Sequence, residues 1–217
     1  MKVHFLHIGK NAGTQIGYIL DQVNEAQTRV RFEKRPHGID LNSLPQEEAF
    51  FFSVRDPAAR FRSGFYSRKR MGRPRHNKPW SPHEVRLFNE FEHANDLAEC
   101  LFDDGPRGRS AFFGMLSAGH LGRGQVDWFK GSGYFFDLRP PVWIVRQEQL
   151  QADMEILFRR LGMNTNFSMS ADPVTAHVND YSEAPDLSEK ALHNLKRWHA
   201  PDYAFCLQIE NWLSAQV

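Results

Sequence analysis

The stretch VHFLHIGKNAGTQIGYILDQV, two residues from the start of the chain, admits few folds. Val3 to Gly9 is a short and mostly apolar run, as a strand buried on both faces of a parallel sheet requires. KNAGT follows, and then Ile16, Ile19, Leu20 and Val23 recur at i, i+3, i+4 and i+7, one face of an amphipathic helix. The chain therefore opens as strand, tight glycine loop, helix. Thr28 to Phe32 and Ala49 to Arg55 read as the second and third strands, and Val142 to Arg146 as another. Asp56-Pro57 starts a helix, with a capping carboxylate and a proline at its first position; Ala58, Phe61 and Phe65 mark its buried side. Ser81 and Glu84 spell a capping box. Leu150, Met154, Leu157, Phe158 and Leu161 recur at helical spacing before a stop at Gly162, and two further helices are expected from about Leu187 and about Pro201. Gly105 to Gly133, rich in glycine, reads as loops and short helices. Strands alternating with helices predict a three-layer, P-loop-like α/β fold with a central, mainly parallel sheet flanked by helices. The 217 residues suit one domain, 1–217, with a real core and are short for two.

A formal net charge of +1 argues against bulk attraction to polyanions, so no nucleic-acid partner is expected and any anion site must come from local charge. Cys100 and Cys206 are the only cysteines, which disfavours a disulfide framework and suits a reducing compartment. No run of about 18 apolar residues is present, so no membrane span is expected. The N-terminus enters a strand directly and lacks the pattern of a secretory leader. The chain reads as cytoplasmic; a lumenal domain trimmed of its anchor would read the same way.

The first loop has the makings of an anion site. A helix N-terminus offers unpaired N–H groups and the positive end of the helix dipole. Gly13 permits close approach, Lys10 adds a mobile cation, and Asn11, Thr14 and Gln15 carry side-chain donors around Ala12. The order differs from a Walker loop, which places lysine after its second glycine. Any strand-to-helix turn can need a glycine, so this loop alone decides nothing. A second constellation stands in VRDPAARFRSGFYS. Arg55 closes the third strand, at the edge where open α/β sheets bind ligands, and can fork onto a phosphate; Ser63 in the next helix can add a hydroxyl. Arg60 and Arg62 read as solvated helix charges. The two constellations together suit a nucleotide with phosphates at both ends.

At these residues the chain resembles the PAPS-dependent sulfotransferases (PAPS is 3′-phosphoadenosine 5′-phosphosulfate), in the glycan-modifying branch related to heparan sulfate 2-O-sulfotransferase. HIGKNAGT (His7 to Thr14) resembles the 5′-phosphosulfate loop H-I-P-K-T-G-G-T. RDPAARFRSGFY (Arg55 to Tyr66) resembles the 3′-phosphate motif R-D-P-x-x-R-x-x-S-x-[FY]. WIVRQEQLQADMEILFRRLGM and LKRWHAPDYAF resemble the later strand with its helix and the closing helix. Gly9, Asn11 and Gln15 depart from the usual proline, threonine and serine. The resemblance implies sulfuryl transfer from PAPS to a hydroxyl acceptor, a carbohydrate in this branch, without a metal. Lys10, Asn11, Ala12, Gly13, Thr14 and Gln15 would hold the 5′ end, and Arg55 and Ser63 the 3′-phosphate.

In-line sulfuryl transfer needs positioning and charge stabilisation, for which Lys10 at the breaking bond is the expected residue. The expected base is His37, whose imidazole suits neutral pH and which precedes the 3′-phosphate motif, as the histidine base does in the resembled branch. Glu33 is the rival base, and His7 is expected to be packed. Between Arg55 and Lys78 stand nine basic residues and one acid, Asp56. Of these, Arg68, Lys69, Arg70, Arg73, Arg75 and Lys78 could line a cleft for an anionic acceptor or form a solvated face. Trp80, Trp128 and Tyr134 could stack on sugars, although core packing is the commoner use of aromatics. His177 and Asn179 are noted without a role. Two other readings fit parts of the pattern: a P-loop-type small-molecule kinase, and a non-catalytic module that binds an anionic glycan.

Overall fold

The computed structural model describes residues 1–26, 29–130, 135–172, 181 and 183–216. The chain divides into two compact units. The first comprises 1–55, 125–178 and 204–217, the second 56–124 and 179–203.

The first unit is built on four parallel strands, β1 (Lys2–Leu6), β2 (Arg31–Lys34), β3 (Ala49–Val54) and β4 (Ile144–Arg146), in the order β2-β1-β3-β4. Helix α1 (Gly13–Ala26) links β1 to β2, burying Ile16, Ile19, Leu20 and Val23 as the spacing requires. Successive strand residues point to opposite faces, so the FFF run of β3 supplies both. Phe51 stacks on Phe5 and meets Phe32 edge-on, and Phe158 of α7 (Leu150–Arg160) closes on Phe32. On the other face Phe52 packs against Phe129, Phe135 and Phe205. Phe135 opens α6 (Phe135–Leu138), and Phe205 belongs to the last helix, α9 (Ala200–Ser214). At the end of β4, Asp153 is fully buried and accepts from the Arg146 main chain and guanidinium and from the Trp143 indole. This latch fixes α7 onto β4.

Strand β2 starts at Arg31, later than expected, because its pairing with β1 begins at Lys2 opposite Arg31; Thr28 lies outside the described residues.

The second unit is helical: α2 (Pro57–Lys69), α3 (Pro82–Glu90), α4 (Ala94–Cys100), α5 (Pro106–Ser117) and α8 (Glu189–Trp198). Its own core gathers Phe61, Phe65, Phe88, Phe91, Leu97, Met115, Leu121 and Leu195. The Asp56 side chain caps α2 through Ala59 N–H, and Ser81 and Glu84 form the expected capping box. Helix α5 corrects the reading of 105–133 as loops and short helices. Its glycines reflect close packing: a Cβ at Gly114 would come within 2.2 Å of Leu87.

Two arginines read as exposed are in the interior. Arg60 is 1% exposed and donates to the Arg123 carbonyl at 2.9 Å. Arg68 is buried and forks onto Glu84 at 2.6 and 2.7 Å, with the Lys78 and Pro79 carbonyls at its outer nitrogens. It therefore belongs to the packing of α2 on α3 and not to an acceptor surface. Among the described residues no helix is long and apolar enough to cross a membrane.

Burial pushes the Glu84 carboxyl upward, but the Arg68 fork and the Ser81 hydrogen bonds outweigh it and bring it from 4.5 to about 2. A carboxyl depressed on folding stabilises the fold above its unfolded value; that stability drains away between about pH 4.5 and about pH 2. Glu84→Gln, which strands Arg68, is expected to cost about 3–5 kcal/mol near pH 7. The gap to wild type should narrow as pH falls through that window, read by urea denaturation at several pH values. Parallel pH profiles for the two proteins would contradict this account.

Candidate functional site at the carboxyl edge of the sheet

Strands β1 and β3 are neighbours, yet the chain leaves β1 for β2 on one side and β3 for β4 on the other. This divergence makes the carboxyl ends of β1 and β3 the switch point of the sheet, the place at which open parallel sheets bind ligands. The loop 9–12 and Arg55 both emerge there.

Within the loop, Lys10 has φ 71° and Ala12 φ 57°. Left-handed backbone at such residues costs about 1–2 kcal/mol each, so the surroundings must hold it. A left-handed residue beside right-handed ones is the arrangement that makes an anion-binding concavity of main-chain N–H groups. Helix α1 then begins at Gly13 with no acidic side chain in its first turn to offset the dipole.

Asn11 supplies the restraint. It is fully buried, and its side-chain N–H groups donate to Ser53 O at 2.8 Å and to Gln125 Oε1 at 2.7 Å. Ser53 Oγ returns a bond to Asn11 O at 2.6 Å. The asparagine amide thus works inside the fold, tying the loop to β3, and what residue 11 can offer an anion is its main chain. Gln15 is also buried, with its amide nitrogen on Met169 Sδ at 3.6 Å, while Thr14 is half-buried.

Gln125, which the sequence reading passed over, is the hub. Its Oε1 accepts from Arg55 N–H at 3.0 Å and its Nε2 donates to Arg55 O at 2.8 Å. The side-chain amide clamps the Arg55 main chain as a neighbouring strand would. The Arg55 guanidinium reaches back over the loop, with Nη1 at 3.5 Å from Lys10 O.

The turn 126–129 that follows Gln125 holds a second group. Trp128 is buried and its indole donates to the His37 carbonyl at 3.0 Å. The exposed His37 ring lies on His7, centroids 3.8 Å apart, and its Nδ1 meets His7 O at 3.3 Å. A carbonyl can only accept, so Nδ1 carries the proton and the neutral ring keeps its lone pair on Nε2. His7 packs against Gly13 so closely that a Cβ there would fall 1.8 Å from its Nε2. Lys34, at the end of β2, adds a cation, donating to Gly13 O at 2.6 Å. With the second strand expected to end at Phe32, Lys34 falls in the loop beyond it and carries no signal in the sequence.

The remaining candidates divide. Glu33 turns to Lys2, His4 and Arg35, and His4 is in turn bonded to Glu48. Ser63 is buried on α2 of the second unit. Lys69 pairs with Glu92, Arg70 bonds to the Arg73 carbonyl, and Arg73, Arg75 and Lys78 are exposed. Trp128 is buried in the core of the first unit, and Trp80, partly buried, packs against the core of the second. Tyr134, His177 and Asn179 lie outside the described residues. No protein-family model, curated protein or solved structure matches the chain.

Gln125→Leu would leave the Arg55 main chain and the Asn11 amide without their partner. Stability is expected to fall by more than about 2 kcal/mol in urea denaturation, each stranded buried group costing about 1–3 kcal/mol. A variant as stable as wild type would show that the clamp is dispensable.

Proposed function

We propose that the chain is a sulfotransferase with a P-loop-like frame, moving a sulfuryl group from PAPS to a hydroxyl of an acceptor, a carbohydrate on the strength of the resemblance. The observation that carries this reading is the meeting of a strained, lysine-bearing anion loop and Arg55 at the switch point of a parallel sheet. The Arg55 guanidinium stands over the loop at 3.5 Å from the Lys10 carbonyl, and the Lys34 ammonium is bonded to the loop's far end at Gly13 O.

In this reading the loop N–H groups, the start of α1 and Lys10 hold the 5′-phosphosulfate, and Arg55 takes the 3′-phosphate. The acceptor oxygen attacks sulfur in line with the bond to the donor phosphate. As that bond breaks, its electron pair goes to the leaving adenosine 3′,5′-bisphosphate, where Lys10 and the loop donors offset the charge. The acceptor proton passes to His37 Nε2. The reading requires no metal.

Calorimetric titration decides between this and a kinase. Adenosine 3′,5′-bisphosphate should bind wild type at micromolar concentration without metal, and Arg55→Ala should weaken it at least tenfold. Preference for ATP with magnesium would favour the kinase, and no nucleotide binding would favour a glycan-binding module; either would overturn the proposal. The role the resemblance gives Ser63 is tested by the same titration on Ser63→Ala.

His37→Ala is expected to lower transfer by about 10²–10⁴ while leaving bisphosphate affinity unchanged. Near-normal turnover in that variant would move the base elsewhere.

A further inference from the structure

Helix α5 buries Ala111, Gly114 and Met115 in its own unit, yet Phe112, Phe113 and Leu116 are 45%, 64% and 59% exposed. A surface helix of a self-sufficient unit carries one apolar stripe and a polar remainder. This helix has a second apolar side that its own core does not use. Phe112 is braced by Trp198 of α8, with ring centroids 5.3 Å apart, and Phe113 meets Phe112 edge-on at 5.7 Å. Beside this ridge a groove of about 530 Å³ runs between α5 and α3. The two helices are antiparallel: Arg107, near the start of α5, lies over Phe91 just past the end of α3, and Gly114 faces Leu87. The missing side chain at Gly114 and the buried Leu87 form part of the groove lining, and Phe113 and Leu116 stand at its edge. The charged residues on its rim, Arg86 and Glu90 of α3 and Arg109 of α5, are all exposed.

We propose that this face joins two copies of the chain in an isologous dimer, with Phe113 of each copy seated in the α3–α5 groove of the other. A two-fold contact requires a patch that complements itself, and here the ridge and the groove lie side by side on one face. The rim charges complement themselves as well. With the two-fold axis across the helices, α3 runs antiparallel to its own copy, and Glu90 comes to the end that carries Arg86. With the axis along the helices, α3 lies on α5 of the second copy, whose start is level with the end of α3, and Glu90 comes to Arg109. The acid meets a cation in either arrangement, whereas a rim of one sign would call for an oppositely charged partner. The residue types agree: interfaces are enriched in phenylalanine and arginine and depleted in lysine, and no lysine lines this groove among the described residues. A formal net charge of +1 leaves two copies with little long-range repulsion to overcome. The dimer does not rest on the sulfotransferase reading.

The test follows the full chain by sedimentation velocity and light scattering from micromolar to sub-millimolar concentration. Wild type should form a dimer that dissociates on dilution. Phe113→Glu, which would carry a charge into the groove of the second copy, should weaken the dimer about tenfold or more, equivalent to about 1.4 kcal/mol. Glu90→Arg, which leaves the rim with one sign of charge, should weaken it by less, since rim charges stay in contact with water. Both changes are on exposed side chains, so circular dichroism and urea denaturation of the monomer should match wild type. Glu90→Arg keeps the test open should Phe113→Glu fail to fold. A wild type that stays monomeric at the highest concentration, or a dimer indifferent to both variants, would overturn the proposal. A monomer that pellets with vesicles of phosphatidylcholine and phosphatidylserine, and loses that binding in Phe113→Glu, would overturn it in favour of a membrane contact.

Discussion

Strand β1 runs beside β3 with Val3 opposite Ala49 and Leu6 opposite Phe52, so the loops that follow the two strands leave from one edge of the sheet. The pairing is secured from both faces. Phe5 stacks on Phe51 on one side, and Phe52 sits in a cluster with Phe129, Phe135 and Phe205 on the other. Without this register Asn11 could not reach Ser53, and the left-handed backbone at Lys10 and Ala12 would have nothing to hold it. The loop 9–12 is strained, and the sheet pays for it.

The turn around Gln125 completes the site from a distance in sequence. Gln125 clamps the main chain of Arg55 and accepts from Asn11, while Trp128, three residues on, holds the carbonyl of His37. Phe129 of the same turn is packed in the aromatic cluster on β3. One short segment therefore links the core to the loop, the arginine and the histidine. Such second-layer support is what gives a group a fixed position rather than a range of rotamers.

Helix α2 shows how far charge can be drawn into a small helical unit. Its motif carries arginines at 60, 62 and 68, and two of these are buried with hydrogen-bonded partners. Buried guanidinium groups are tolerated only when each is answered by carbonyls or a carboxylate, and here Arg123, Lys78, Pro79 and Glu84 answer them. The apolar spacing of Ala58, Phe61 and Phe65 identified the buried side correctly, but Arg60 and Arg68 share the interior with it. A pattern that counts arginine as solvent-facing cannot anticipate this.

Local physics made the parallel sheet, the loop–helix opening, the Asp56 cap, the Ser81–Glu84 box and the stop at Gly162 legible in the residues themselves. Each depends on neighbours within a few positions: apolar runs for strands, spacing for helix faces, a side chain within reach of its own main chain. The placing of Arg55 at a strand end was legible for the same reason. Tertiary structure alone decided that Asn11 turns inward, that Gln125 grips Arg55, that His37 lies on His7, and that Arg68 leaves the surface for Glu84. These contacts join residues between 16 and 114 positions apart. Helix α5 was hidden for a related reason, since Gly114 serves close packing against Leu87 of α3 and Gly108 against the Asp103 main chain, and only the neighbour reveals why a side chain is missing there. Side-chain amides and guanidinium groups hydrogen-bond equally well to water or to the interior, so their direction is fixed by which backbone groups the fold leaves in need of a partner.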